Sequence, residues 1–191
     1  MPLRANAITF LHWRPAAHSP MLPRVWVAVG AGVRSLEPVD WPALRAIYEL
    51  GREAGRATLE TATPSWEVWD AAHVRGHRWA AVVDDEVVGW SALAHPHRTA
   101  GSGVAESSVY VDPRFHRRGI GGALLQRLVV ESERAGFWTL EARVVDGNDA
   151  SLRLHLANGF RVVGVRERIG VLQGAWCDVV LLERRSRIVG L

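Results

Sequence analysis

A chain of 191 residues and 21.1 kDa is the length of one ordinary domain, and 48% hydrophobic with 23% charged residues is globular composition with material for a sizeable core. All 23 basic residues are arginine, which excludes a lysine Schiff base or a P-loop lysine, and the single Cys177 excludes an internal disulfide framework and a zinc site of several thiolates. The net charge of +3 divides into +4 on residues 1–36 and −1 on the remainder, so the body lacks the basic surface of a nucleic-acid binder.

Pro2, Pro15, Pro20 and Pro23 interrupt the first thirty residues, and no helical or strand period persists there, so 1–30 read as a loosely ordered extension. It lacks the uninterrupted apolar core of a secretory signal, and no run of 18 apolar residues predicts a membrane span, so a cytoplasmic chain is expected. A single domain is expected over 31–186, with a tail at 187–191. Residues 33–36 predict a strand. Asp40 predicts an N-cap with Pro42 in the first helical turn, and Leu44, Ile47, Tyr48 and Leu50 give that helix an apolar face to Glu53. Thr63-Pro64 opens a second helix with Trp66 and Trp69 on one side. Residues 79–83 and 87–93 read as strands joined by an Asp84-Asp85 turn, and 104–111 as another. Ile120, Leu124, Leu125, Leu128 and Val129 have the spacing of a buried helix face. A strand at 140–145, a short helix at 151–157 stopped by Gly159, and strands near 161–168 and 177–182 complete the body. The order β-α-α-β-β-β-α-β-α-β-β implies the α/β (α+β) class, a mixed sheet with helices on its faces.

Residues 109–123, Val-Tyr-Val-Asp-Pro-Arg-Phe-His-Arg-Arg-Gly-Ile-Gly-Gly-Ala, run from strand through turn into a glycine-rich helix start. Gly119, Gly121 and Gly122 remove the Cβ atoms that would hold a ligand off the backbone. Unpaired N–H groups and the positive dipole end then suit a pyrophosphate, with Arg117 and Arg118 beside it. The stretch has neither the Lys and Ser/Thr of a Walker loop nor the βαβ setting of a dinucleotide fingerprint, and glycines needed only for packing are the alternative. Asn148-Asp149-Ala150-Ser151-Leu152-Arg153-Leu154-His155-Leu156-Ala157-Asn158-Gly159-Phe160 begins 27 positions after Gly121.

Together these two motifs resemble the GNAT N-acetyltransferase superfamily. The resemblance implies the GNAT fold, a mixed twisted sheet of about six to seven strands with helices on both faces, and acetyl-CoA as co-substrate. It places Arg117, Arg118, Gly119, Ile120, Gly121 and Gly122 at the pyrophosphate and Asn148 at the pantetheine arm. Backbone N–H groups of Val109, Tyr110 and Val111 would hold the oxyanion. Segments 55–61, 105–111 and 174–181 look most like the phosphinothricin / methionine sulfone acetyltransferases, which implies a homodimer acting on the α-amine of a small amino-acid-like substrate. In that frame Glu106 and His155, 49 positions apart, form the catalytic pair, with either as base, while Leu59, Arg98 and Glu106 contact the substrate. Read as plain residues, Glu106 is a partner for Arg98, Asn148 a helix cap and His155 a packed side chain.

The departures are informative. His116 stands where Gln or Arg is common, Gly101 and Gly103 replace rings in the substrate loop, and Leu172 takes a position that often holds lysine. No metal is expected, because His95 and His97 lack nearby acids. Cys177 lies outside both motifs, so direct transfer without an acyl-enzyme is expected. The tryptophans, Trp66, Trp69, Trp79, Trp90 and Trp176 among them, read as core and dimer-interface bulk. Acetylation of another amine (a protein N-terminus, a polyamine, an aminoglycoside) and a catalytically idle CoA-binding sensor are the alternatives. Arg98 in a loop without acids favours an anionic or zwitterionic acceptor.

Overall fold

The computed structural model describes residues 30–95 and 103–191. The expected extension therefore lies outside the described residues except for Gly30, as do His97, Arg98 and Gly101. The strands are β1 (Gly32–Ser35), β2 (His73–Val83), β3 (Glu86–Ala94), β4 (Val104–Val111), β5 (Thr139–Val145), β6 (Arg161–Leu172) and β7 (Ala175–Arg185). The helices are α1 (Trp41–Glu53), α2 (Trp66–Ala72), α3 (Ile120–Arg134) and α4 (Asp149–Ala157). The seven strands form one sheet in the order β1-β2-β3-β4-β5-β7-β6. Every pairing is antiparallel except β4 with β5, which the α3 crossover makes parallel.

The sheet is covered on both faces because alternate strand residues point opposite ways. On one face Ile120, Leu124, Leu125, Leu128 and Val129 of α3 bury against Val88, Ala105, Leu140 and Val180. Each such side chain contributes about 1.5–3 kcal/mol by leaving water, an upper figure because the unfolded chain already hides some surface. On the other face Leu44 and Ile47 of α1 and Trp69 of α2 enclose Trp90 and Ala92 of β3. No helix among the described residues is long and apolar enough to cross a membrane.

Several local expectations are corrected. Asp40 stands at the expected N-cap of α1, with Pro42 in the first turn, but makes no side-chain cap bond: the carboxylate accepts two bonds of 2.7 Å from Arg34 and one of 2.9 Å from the Glu37 N–H. Leu50 is exposed, one step off the stripe that buries Leu44 and Ile47. The second helix starts at Trp66, capped by Ser65 rather than by Thr63. Strand β2 begins six residues before the alternation at Trp79, because His73 pairs with Ala94 across an irregularity. The last hairpin extends to Leu172 and Ala175, turned by Gln173 (φ 50°) and Gly174 (φ 80°). Trp69, Trp79 and Trp90 are core, whereas Trp176 is exposed on that hairpin. The tail is folded back: the Ser186 N–H donates to the Trp138 carbonyl at 2.8 Å, and a Cβ on Gly190 would lie 2.5 Å from the Trp138 side chain.

Candidate active site

β4 and β5 begin as neighbours and then part. Their rungs run from Val104–Thr139 to Glu106–Glu141 and stop, with the Ser107 hydroxyl donating to the Glu141 carbonyl at 3.0 Å. Along its other edge β4 stays paired with β3 as far as Val111–Gly89. The Asp112 N–H donates to the Val88 carbonyl at 2.9 Å, and antiparallel bonds alternate, so residues 108 and 110 also bond toward β3. That register turns the N–H groups of Val109 and Val111 toward the side that β5 has left. The His116 ring agrees, donating to the Val111 carbonyl at 2.9 Å from that side. Of the three expected backbone donors, Val109 and Val111 face the gap, while the Tyr110 N–H serves the ladder.

Beyond β4, Asp112 caps the turn Pro113–Phe115 and holds the Arg114 guanidinium at 2.7 Å, which also reaches Glu86. The backbone is left-handed at Arg117 (φ 62°) and again at Gly119 (φ 80°), where α3 starts. No side chain caps α3, and its first backbone bond runs from the Ala123 N–H to the Gly119 carbonyl at 3.0 Å. The N–H groups of Ile120, Gly121 and Gly122 are therefore left without intrahelical acceptors at the positive end of the dipole. A Cβ on Gly121 would meet Leu154 at 3.4 Å, an ordinary contact, so packing does not demand glycine there. Arg118 lies over the Phe115 ring, 5.0 Å from its centroid, beside this helix start. Backbone donors, dipole and the Arg117–Arg118 pair together fit a pyrophosphate.

Glu106 leaves β4 on the α1 and α2 face. Its carboxylate is held in a two-pronged fork by Arg143 of β5, through Nε at 2.8 Å and Nη2 at 2.5 Å. Among the described residues its partner is Arg143, a placement that sequence spacing did not reveal, while the expected Arg98 lies outside them. On the same face Tyr110 stacks on Trp90 with centroids 4.6 Å apart, and Tyr48 packs against Tyr110 at 5.1 Å. Burial, and secondarily Tyr48, push the Tyr110 hydroxyl well above its ordinary pKa. Rings thus wall this region although Gly101 and Gly103 do not supply them. The place of a Gly103 side chain is taken by Trp138, which a Cβ there would meet at 2.2 Å.

The segment 55–60 is tied down at several points. The Arg56 carbonyl accepts from Asn148 Nδ2 at 2.9 Å, the Ala57 carbonyl from the Tyr110 hydroxyl at 3.5 Å, and Leu59 packs on Gly170 of β6. Gly147, at φ 80°, passes under Arg56 so closely that a Cβ would sit 1.8 Å from Nη1. Asn148 also caps α4, its Oδ1 accepting from the Ser151 N–H at 3.1 Å. His155, buried in α4, donates Nδ1–H to the Ser151 carbonyl at 2.8 Å and meets the edge of Phe160 at 5.0 Å. That bond fixes the tautomer, leaving the lone pair on Nε2, which is buried with no hydrogen-bond partner. Burial lowers the ring pKa despite the opposing backbone bond, so the imidazole is neutral near pH 7. His155 packs on the α3 side of the sheet and Glu106 on the other. Among the described hydrogen bonds, ion pairs and ring contacts, none joins the two. Among the described residues, no three His, Cys, Asp or Glu side chains converge as a metal site requires.

Residues 41–160 match the acetyltransferase (GNAT) family. A phosphinothricin N-acetyltransferase of Alcaligenes faecalis is 34% identical over 165 residues, 80% of this chain and 81% of that protein. An L-methionine sulfoximine/L-methionine sulfone acetyltransferase of Pseudomonas paraeruginosa is 29% identical over 164 residues, 81% of this chain and 94% of its own. Among solved structures, a GNAT superfamily phosphinothricin acetyltransferase from Sinorhizobium meliloti in complex with acetyl-CoA superimposes with a TM-score of 0.75 at 28% identity, covering 82% of this chain and 88% of that one. The parted strands, the uncapped glycine-rich helix start and these likenesses converge: the chain belongs to the GNAT family of acetyltransferases.

Proposed function

We propose that this protein transfers an acetyl group from acetyl-CoA directly to the α-amine of a small amino-acid-like substrate of the phosphinothricin or methionine sulfone/sulfoximine type. The observation that carries the reading is the parting of β5 from β4, which turns the N–H groups of Val109 and Val111 away from the ladder, together with the uncapped start of α3. The Val109 and Val111 donors are placed to hold the acetyl oxygen as it gains charge, and Arg117, Arg118 and residues 119–122 to hold the pyrophosphate. Glu106 binds the ammonium. His155 Nε2, neutral and unpaired, receives a proton and returns it to the departing thiolate. Leu59 and Arg98 complete the substrate pocket, and Asn148 lies at the pantetheine arm. The relatives named for these substrates support the choice of acceptor.

The acetyltransferase domain is placed at 31–186. A homodimer in the cytoplasm is proposed, in keeping with the free Cys177 and with the exposed Val163, Ile169, Val171 and Trp176 on the last hairpin. A thiol-release assay tests the reading, with acetyl-CoA against phosphinothricin, methionine sulfone, methionine sulfoximine, a polyamine and an N-terminal peptide. Turnover on the first three is expected, falling by about 10²–10⁴-fold in His155→Gln. Turnover confined to the polyamine or the peptide would overturn it.

A further inference from the structure

Arg143 lids the carboxylate that the proposed reaction needs. The Glu106 side chain is 16% exposed and that of Arg143 is 59% exposed, so the acid lies at the bottom of the pair and the guanidinium on the solvent side. A cavity of about 270 Å³ opens over them, lined also by Glu141, Val163, Arg166 and Glu183. Pockets for drug-sized ligands start near about 300 Å³, so this one admits a molecule of amino-acid size. Glu183 is paired with Arg161, and Arg143 forks onto Glu106 in the same lining. The cation of the pair is more than half exposed, so a ligand entering from solvent can reach it and exchange partners with it.

Resting on the reading above, we propose that Arg143 is the specificity residue that binds the substrate's α-carboxylate, the Glu106–Arg143 pair being an internal stand-in for the zwitterion it receives. A molecule bearing an ammonium and a carboxylate on one carbon replaces both halves at once. Its ammonium takes the place of Arg143 on Glu106, and its carboxylate takes the place of Glu106 on Arg143. The guanidinium fork offers that carboxylate two parallel N–H donors. An amine without a carboxylate takes Glu106 from Arg143 and offers the guanidinium no anion in return beside a second positive charge, so the same residue disfavours simple polyamines.

The test compares methionine sulfone with the amine obtained by removing its carboxylate, in wild type, Arg143→Gln, Arg143→Lys and Arg98→Gln. In Arg143→Gln the KM for methionine sulfone is expected to rise about tenfold or more while that for the decarboxylated amine stays level or falls. Arg143→Lys should recover part of the difference. Both substrates are read on the same protein, so a folding defect moves them together. An equal change on both substrates, no change, or a carboxylate-dependent loss in Arg98→Gln alone overturns the assignment and leaves the proposed function standing. A wild type inert toward every α-amino acid but active on another amine overturns both.

Discussion

Burial and one carbonyl decide the protonation of the His155 ring. The Ser151 carbonyl fixes the proton on Nδ1, and the surrounding core disfavours a second one on Nε2, so the folded-state pKa lies below the ordinary 6.5. In the unfolded chain the ring binds a proton from about pH 6.5 downward, so the stability tied to the neutral ring is complete above that pH and is lost as pH falls toward the folded value. His155→Gln should flatten that acid loss of melting temperature, and wild-type kcat/KM should keep its acid limb below 6.5. Parallel melting curves for the two proteins from pH 7.5 to 5 would contradict this. His155 was legible as a candidate because seven positions separate it from Asn148 in a recognisable motif. Arg143 was not, since it lies 37 positions from Glu106 and only the parallel rungs of β4 and β5 bring the two together.

Asn148 joins two elements that the sequence read separately. One atom of its amide caps α4 and the other holds the Arg56 carbonyl, so the segment 55–60 is positioned by the start of α4. Asn148→Asp keeps an acceptor for the cap and removes the donor to Arg56, whereas Asn148→Ala removes both. The alanine variant should lose about 1–2 kcal/mol, a fall of about 2–8 °C, while the aspartate variant stays near wild type in stability. If the bond to Arg56 is the main work of this amide, Asn148→Asp raises KM for the amine more than KM for acetyl-CoA; the reverse order would give the pantetheine role priority. Elements with a sustained period were legible: α3 from its buried stripe, β4 to the residue, and the β2–β3 turn from Asp84-Asp85, both at positive φ. The first residues of β2 and the last of β6 were not. His73 to Arg78 carry no apolar alternation, and Ile169 to Leu172 lie beyond the irregular pairing that follows Arg166.

The sheet as a whole ends in two unlike edges. β1 is four residues long, too short to recruit another strand. β6 is twelve residues long and, with β7, exposes Val163, Val165, Ile169, Val171 and Trp176. Val171 and Trp176 are register partners and share a face, so the apolar surface is contiguous at the tip. A long apolar edge invites association, and stable interfaces cover roughly 1,000 Å² or more, so the hairpin is the region to supply the proposed dimer contact. Light scattering should give wild type about twice the 21.1 kDa chain mass, and the double variant Val171→Glu/Trp176→Glu the mass of one chain. Both substitutions fall on exposed positions, so the core is untouched and acetyl-CoA should still raise the melting temperature of the variant. A wild type that stays at the mass of one chain removes the dimer, and a double variant that stays at twice that mass moves its interface elsewhere.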